Sequence, residues 1–364
     1  MKKAVYAGTF DPPTLGHQWM IEQAAELFDE VVVAIAVNPN KKTMFPVEER
    51  LVMLRAMTAG LKNVSVSAFD DAKFLARYSE SIGANILLRD IRAGDYDYEK
   101  VMRNVNAELC HQITTIFLIP PNTVAEISSS MVKALIGPEG WEKLVAHYVP
   151  VPVLKRLLMA KHTIWKHLQE AGAMGDAEWF WETILEPYFG KDRAYHNWAH
   201  ICDLLTEFAK VRDFAYDPLA LEMAIWCHDI VHDTHRRDNE EESAKLARRI
   251  IKALHLPDKL GQEVDRLIMC TKHNQVPVGQ DAKMLADLDL LIFAKPEAEI
   301  DEYEAGIEKE YGWAPWTAFV AKRLEVLHGI KANGVYTSDL FREKYEAIAK
   351  DNIARLIEKI RARA

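Results

Sequence analysis

Five short apolar runs alternate with helix-spaced segments before residue 150, and after Val149-Pro150-Val151-Pro152 no such run recurs. Lys3–Ala7, Val31–Val37, Val64–Ala68, Ile86–Leu88 and Thr115–Ile119 have strand length, and Trp19–Phe28 between the first two carries apolar residues at helical spacing. Strands that alternate with helices pair in parallel through crossovers, which predicts an α/β architecture. Ligands of such sheets bind beyond the carboxyl ends of the strands, so the loop after the first strand is the first place to look for a site. From about Leu154 onward nearly every segment reads as helix, including Ala220–Cys227, Glu241–Leu254 and Tyr345–Ile360. The chain is therefore predicted to fold as two domains, an α/β domain over residues 1–159 and an all-α domain over residues 160–364. Its length is sufficient for two separate cores.

Composition narrows the function classes. With 49% hydrophobic and 27% charged residues the chain is ordinary for a globular protein. A formal net charge of −9 argues against general nucleic-acid binding, which needs a basic face. The longest apolar run, Val31–Val37, is too short to span a bilayer, and Met1-Lys2-Lys3 leads straight into a strand-like segment rather than a signal sequence. No membrane role is expected, and the cytoplasm is the expected compartment. Cys110, Cys202, Cys227 and Cys270 are widely spaced and read as reduced thiols. Of the 13 histidines only His17, His111 and His147 precede residue 150, so the two halves are expected to do different chemistry.

The loop after the first strand reads Gly8-Thr9-Phe10-Asp11-Pro12-Pro13-Thr14-Leu15-Gly16-His17 and runs into a helix. Free backbone N–H groups and the helix dipole attract anions there, and His17 can donate a hydrogen bond to a phosphoryl oxygen whose charge grows in the transition state. A capping loop explains a bare Gly-His pair, but not the complete run. Ile127-Ser128-Ser129-Ser130-Met131-Val132-Lys133 offers three hydroxyls at a helix start, suited either to a triphosphate tail or to an N-cap. Lys41-Lys42 after the second strand, and Arg89 and Arg92 after the fourth, would add cations at the same end of the sheet.

These residues resemble the nucleotidylyltransferase superfamily and, within it, phosphopantetheine adenylyltransferases. The likeness extends over residues 1–157 through YAGTFDPPTLGH, NPNKKTMFPVEER, RDIRAGDYDYE and ISSSMVK. It implies a Rossmann-like parallel sheet and the reaction of ATP with 4′-phosphopantetheine, assisted by Mg2+, giving dephospho-coenzyme A and pyrophosphate. It also implies a homo-oligomer. By matched position, Thr9, Phe10 and His17 would contact ATP, with His17 stabilising the transition state. Lys41 would bridge the phosphates of the two substrates, Arg92 with Ser128, Ser129 and Ser130 would hold the β/γ end, and Glu99 would reach the ribose. Thr9, Lys41, Asp71, Arg89 and Asn106 would face the acceptor. Two departures bear on the acceptor: Asp90 stands between Arg89 and Ile91-Arg92 where the family has glycine, and Ala72-Lys73 follow Asp71 where it has apolar residues. An adenylyl acceptor other than 4′-phosphopantetheine, again a phosphorylated metabolite, is the alternative.

The second half carries Tyr195-His196-Asn197-Trp198-Ala199-His200, then His228-Asp229 after an apolar helix with His232-Asp233 close behind, then Asp289 within Leu288-Asp289-Leu290-Leu291-Ile292. If residues 193–200 are helical, His196 and His200 share a face. Any one of these groups alone reads as a satisfied core polar residue. Together, His200, His228, Asp229 and Asp289 offer mixed imidazole and carboxylate ligands suited to a divalent transition metal or Mg2+. The H…HD…D pattern, with YHNxxH, DNEEESA and LxDLDL, resembles the HD superfamily of all-helical metal-dependent phosphohydrolases. That resemblance implies these four as metal ligands, with His196, Asp233, Glu241 and His273 as secondary candidates for substrate phosphate or an added metal. The alternative is a non-catalytic module that senses a nucleotide or coenzyme.

Overall fold

The computed structural model describes residues 2–37, 42–70, 74–91, 96–273 and 276–363, which form two compact units, Met1–Lys161 and His162–Ala364. The first contains strands β1 (Lys3–Gly8), β2 (Glu30–Val37), β3 (Val64–Asp70), β4 (Ile86–Asp90) and β5 (Thr114–Leu118). Between and after them come α1 (Leu15–Leu27), α2 (Val47–Thr58), α3 (Leu75–Ser81), α4 (Tyr96–Leu109), α5 (Asn122–Ala125), α6 (Ser129–Leu135), α7 (Trp141–Ala146) and α8 (Val151–Lys161). All pairings are parallel and the strand order is β3-β2-β1-β4-β5, a Rossmann-like sheet.

The apolar runs read as strands because both of their faces are covered. Tyr6, Val31, Val33, Ile35 and Leu88 point to one face with Met20, Ile21 and Leu54, whereas Val5, Ala7, Val32, Ala34 and Leu87 point to the other with Ala76 and Cys110. Chain direction through the sheet reverses at β1, which pairs with β2 on one side and β4 on the other. Ligand crevices of such sheets lie at that switch point, beyond the carboxyl ends of the strands. Arg89, expected beyond the fourth strand, lies within β4, because pairing continues through Arg89↔Phe117 and Asp90↔Leu118.

The second unit is helical: α9 (Ile164–Glu170), α10 (Ala177–Leu185), α11 (Trp198–Val211), α12 (Pro218–Cys227), α13 (Asn239–Ala253), α14 (Asp258–Ile268), α15 (Gln280–Asp289), α16 (Glu297–Glu310), α17 (Trp316–Asn333) and α18 (Asp339–Arg363). Helix α12 is the hub. Every residue from Ala220 to Cys227 is buried, because α9, α11, α13, α14 and α15 all pack against it. A helix buried along Ala220–Cys227, its one charge Glu222 paired with His167 and Arg212, has no solvent face there, so the His228-Asp229 pair at its end emerges inside the unit. Among the described residues no helix is long and apolar enough to cross a membrane. The four cysteines are free thiols.

Candidate functional site

In the first unit the helix start is built by Thr14 and His17. Thr14 is the N-cap of α1, its hydroxyl accepting from the His17 N–H at 3.4 Å, and the His17 ring returns a contact to the Thr14 backbone. In that contact the Thr14 N–H donates to His17 Nδ1 at 2.9 Å, a capping box with imidazole in the usual place of Glu or Gln. An Nδ1 that accepts leaves the proton of the neutral ring on Nε2, the tautomer needed to donate to a phosphoryl oxygen. The two glycines of the loop have separate reasons. A Cβ on Gly8 would stand 3.2 Å from Phe10 Cζ, and one on Gly16 would stand 3.2 Å from the carbonyl oxygens of both Val124 and Ile127. Gly16 thus lets the segment leading into α6 close against α1. Phe10 takes a positive φ of 50° and is held there by burial and by edge contacts with Tyr6 and His17.

Thr9, Phe10, Asp11, His17, Ser129, Ser130 and Lys133 line a cleft of about 220 Å³ beyond the end of β1. Asp11, Arg50 and Lys133, to which the sequence assigned no role, frame it. Asp11 is buried and accepts from the Met44 N–H (2.9 Å), the Phe45 N–H (2.9 Å) and Lys133 Nζ (3.1 Å). Arg50, also buried, donates to the carbonyls of Thr9 (2.7 Å) and Phe45 (3.1 Å). Together they tie the loop after β1 to the start of α2 and draw Lys133 into the cleft. The expected outcome of Asp11→Ala is a loss of about 2–4 kcal/mol of stability in this unit, since two backbone donors lose their acceptor. Urea unfolding reads that loss, and an unchanged midpoint would contradict this account of the loop.

The serines divide. Ser128 is the N-cap of α6 and accepts from the Met131 N–H at 3.1 Å, while the Ser129 hydroxyl donates to the Pro12 carbonyl at 2.8 Å. Ser130 is exposed, and both Ser129 and Ser130 face the cleft. Arg89 and Glu99, assigned by resemblance to different substrates, meet each other: Arg89 Nη2 and Nε donate to the Glu99 carboxylate at 2.5 and 2.9 Å. Asn106 is buried on α4. Lys41, Asp71, Lys73 and Arg92 lie outside the described residues.

In the second unit four side chains from three helix ends converge. His200 lies in the first turn of α11, His228 and Asp229 follow α12, and Asp289 ends α15. His200 Nε2 is 3.4 Å from His228 Nε2, 3.3 Å from Asp289 Oδ1 and 3.7 Å from Asp229 Oδ2. His228 Nε2 is 3.2 Å from Asp229 Oδ2 and 3.5 Å from Asp289 Oδ1. A tetrahedral ion with bonds of roughly 2.0–2.1 Å has donor-to-donor edges of about 3.3–3.4 Å, and these spacings cluster around that length. The His228 Nδ1–H donates to the Ile225 carbonyl at 2.9 Å, which turns the Nε2 lone pair toward the cluster, as outer partners of metal-bound histidines do. Arg193 fixes the turn by donating to the carbonyls of Asp229 (2.6 Å), Ile230 (2.8 Å) and His196 (3.0 Å). Burial lowers the pKa of His228, but Asp229 and Asp289 outweigh it and hold the group well above the ordinary imidazole range. Burial raises both carboxylates, yet the surrounding histidines bring Asp229 and Asp289 well below theirs.

The secondary candidates separate. His273 Nε2 lies 2.9 Å from Asp289 Oδ2 and so adjoins the cluster. Glu241 is paired with Lys272 Nζ at 2.5 Å. Asp233 is exposed in a turn, accepting from the His235 N–H. His196 is not on the helix of His200: Asn197, extended at φ −116° and ψ −177°, caps the Ala199 N–H at 2.8 Å, so α11 begins only at Trp198. His196 instead meets Glu310 and His232, neither of which was expected from the sequence.

Comparison with known proteins bears on the first unit. The sequence profile of the cytidylyltransferase-like family matches residues 5–135. A phosphopantetheine adenylyltransferase of Chromobacterium violaceum is 52% identical over 159 residues, 43% of this chain and 96% of that protein. One from Neisseria meningitidis serogroup C is 48% identical over 162 residues, 44% of this chain and 94% of that protein. Through its first unit the chain belongs to the phosphopantetheine adenylyltransferase family. Among solved structures, a Plasmodium falciparum nicotinic acid mononucleotide adenylyltransferase superposes at a TM-score of 0.34 with 14% identity, over 43% of this chain and 95% of that one. That superposition is too loose to bear on function. The first unit is a nucleotidyltransferase domain, and Thr9, His17, Ser129 and Ser130 meet in the cleft beyond β1.

Proposed function

We propose that the chain joins two activities, adenylyl transfer from ATP to 4′-phosphopantetheine in the first unit and HD-type metal-dependent phosphohydrolysis in the second. The observation that carries the first is the cleft itself, where His17, Ser129, Ser130 and Lys133 bring imidazole, hydroxyl and ammonium donors together in a unit about half identical to phosphopantetheine adenylyltransferases. A phosphate oxygen of the acceptor attacks the α-phosphorus of ATP in line. The bond from that phosphorus to the bridging oxygen breaks, and pyrophosphate leaves with the electron pair. No covalent enzyme intermediate is needed, so catalysis is positioning plus stabilisation of charge. His17 Nε2 donates to the α-phosphoryl oxygen, with Thr9 beside it. Ser129, Ser130 and Lys133, with Arg92, hold the outer phosphates, and Lys41 bridges donor and acceptor. Mg2+ arrives on ATP and spreads phosphate charge. Asp90 ends β4 beside Arg89, and this departure from the family favours a second reading in which another phosphorylated metabolite accepts the adenylyl group.

The second activity is carried by the donor atoms of His200, His228, Asp229 and Asp289, with each imidazole 3.2–3.7 Å from both carboxylates and 3.4 Å from the other. Held by His200, His228, Asp229 and Asp289, a divalent ion would polarise a phosphoryl oxygen and lower the pKa of bound water. His273 steadies Asp289. In a non-catalytic variant of this reading the same site senses a bound nucleotide or coenzyme.

Incubating the protein with ATP, 4′-phosphopantetheine and Mg2+ is expected to yield dephospho-coenzyme A and pyrophosphate, identified by mass. Absence of product under saturating conditions would overturn the acceptor assignment and favour the second reading.

A further inference from the structure

Beside the His200 cluster lies a separate group of three side chains. Glu310, at the end of α16, has a fully buried side chain. Its Oε1 accepts from the backbone N–H groups of Tyr195 (2.7 Å) and His196 (2.9 Å), which fixes the carboxylate and turns Oε2 the other way. Facing Oε2 are His196 Nδ1 at 2.6 Å and His232 Nε2 at 3.3 Å. The two imidazoles stack, with centroids 4.1 Å apart and planes 26° apart, so their nitrogens reach the same oxygen side by side.

One atom sets this group apart from an ordinary His-Glu strut. The His232 side chain is only 10% exposed, and its Nε2 is buried with no hydrogen-bond partner, the contact to Oε2 lacking hydrogen-bond geometry. A buried nitrogen left unsatisfied costs on the order of 1–3 kcal/mol, so a purely structural strut would not leave it idle. A cation would use its lone pair.

We propose that His196, His232 and Glu310 form a second divalent-cation site, of the kind taken by first-row transition ions. Two imidazoles and one carboxylate are the donor set such ions accept with coordination positions left open. The Tyr195 and His196 amides supply the outer hydrogen bonds that orient the carboxylate ligand. A cation would take the place of the proton between His196 Nδ1 and Glu310 Oε2, the neutral ring then carrying its proton on Nε2. The position shares no ligand with the His200 cluster, although the His196 and His200 rings are 6.0 Å apart, so the two sites stand or fall separately.

Full-length protein stripped with chelator and titrated with Mn2+ in the absence of nucleotide tests this, with free Mn2+ followed by electron paramagnetic resonance. The expected result is two equivalents bound per chain in the unmodified protein and one in His232→Ala. Asp229→Ala should also bind one, and that remaining equivalent should disappear when His232→Ala is added. If His232→Ala loses helical circular dichroism, His196→Gln takes its place and should likewise bind one. A single equivalent that survives both His232→Ala and His196→Gln, or two retained in both, would overturn the second site. An Asp229→Ala protein that still binds two would instead sink the reading of the His200 cluster and leave this one intact.

Discussion

Replacing His17 with asparagine is expected to slow nucleotidyl transfer by about 10²–10³-fold while leaving folding nearly unchanged, because the change separates two jobs done by one ring. Nδ1 accepts from the Thr14 N–H and closes the capping box of α1. The amide oxygen of asparagine sits at the same distance along its side chain and can keep that hydrogen bond. What it cannot supply is the Nε2–H, the donor aimed into the cleft formed with Thr9, Ser129, Ser130 and Lys133. A donor that acts on charge developing at the α-phosphate affects turnover more than ATP affinity, so kcat should fall with little change in the dissociation constant for ATP. Thermal unfolding checks the capping role and steady-state kinetics the catalytic one. Turnover within a few-fold of the unmodified protein would remove His17 from the chemistry.

Loss of the ion proposed for the His200 cluster is expected to lower the unfolding temperature of the second unit by about 5–10 °C, and Asp229→Ala should remove that part of the response to chelator. At a free ion concentration near 100 times the dissociation constant, binding stabilises the native state by about 2.7 kcal/mol. For a unit of roughly 200 residues each kcal/mol moves the midpoint by about 2–4 °C. Asp229 is the right position to remove because its Oδ2 stands 3.2 Å from His228 Nε2 and 3.7 Å from His200 Nε2, where it completes the ligand set. In the stripped protein His228 and Asp229 still pair, so the informative quantity is the shift on adding metal rather than the absolute midpoint. Adenylyl transfer by Asp229→Ala should stay at the unmodified rate, since His17 and the cleft belong to the other unit. An equal metal-induced shift in both proteins would mean that these are core polar groups and nothing more.

Much of this molecule was legible in one dimension. The strands β1 and β2 were visible because apolar runs buried on both faces have no other economical explanation. His228-Asp229 stood out because they follow a helix that is apolar at nearly every position, and Asp289 because it is a carboxylate within the apolar run Leu288-Asp289-Leu290-Leu291-Ile292. Arg50 did not stand out. It sits in Val47-Glu48-Glu49-Arg50, where it looks like one more surface charge, yet it is 3% exposed and braces Thr9. Glu310 is harder still, one of six glutamates in α16, and only the chain arriving from residues 195 and 196 distinguishes it. The helical reading of His196 failed on a single local competitor, the Asn197 cap.

The amino-acid sequence by itself determined the order of elements, the α/β and helical halves, and the residue types of both candidate sites. Those follow from periodicity, capping and turn chemistry, which act over a few neighbouring residues. Tertiary structure alone decided which donors gather in one cluster and which are spent on each other: Arg89 on Glu99, Glu241 on Lys272, Ser128 on its own helix, and Glu310 on amides 115 and 114 positions away. A hydrogen bond or metal ligand is chosen by distances of a few tenths of an ångström, and such distances arise only once remote helices have packed.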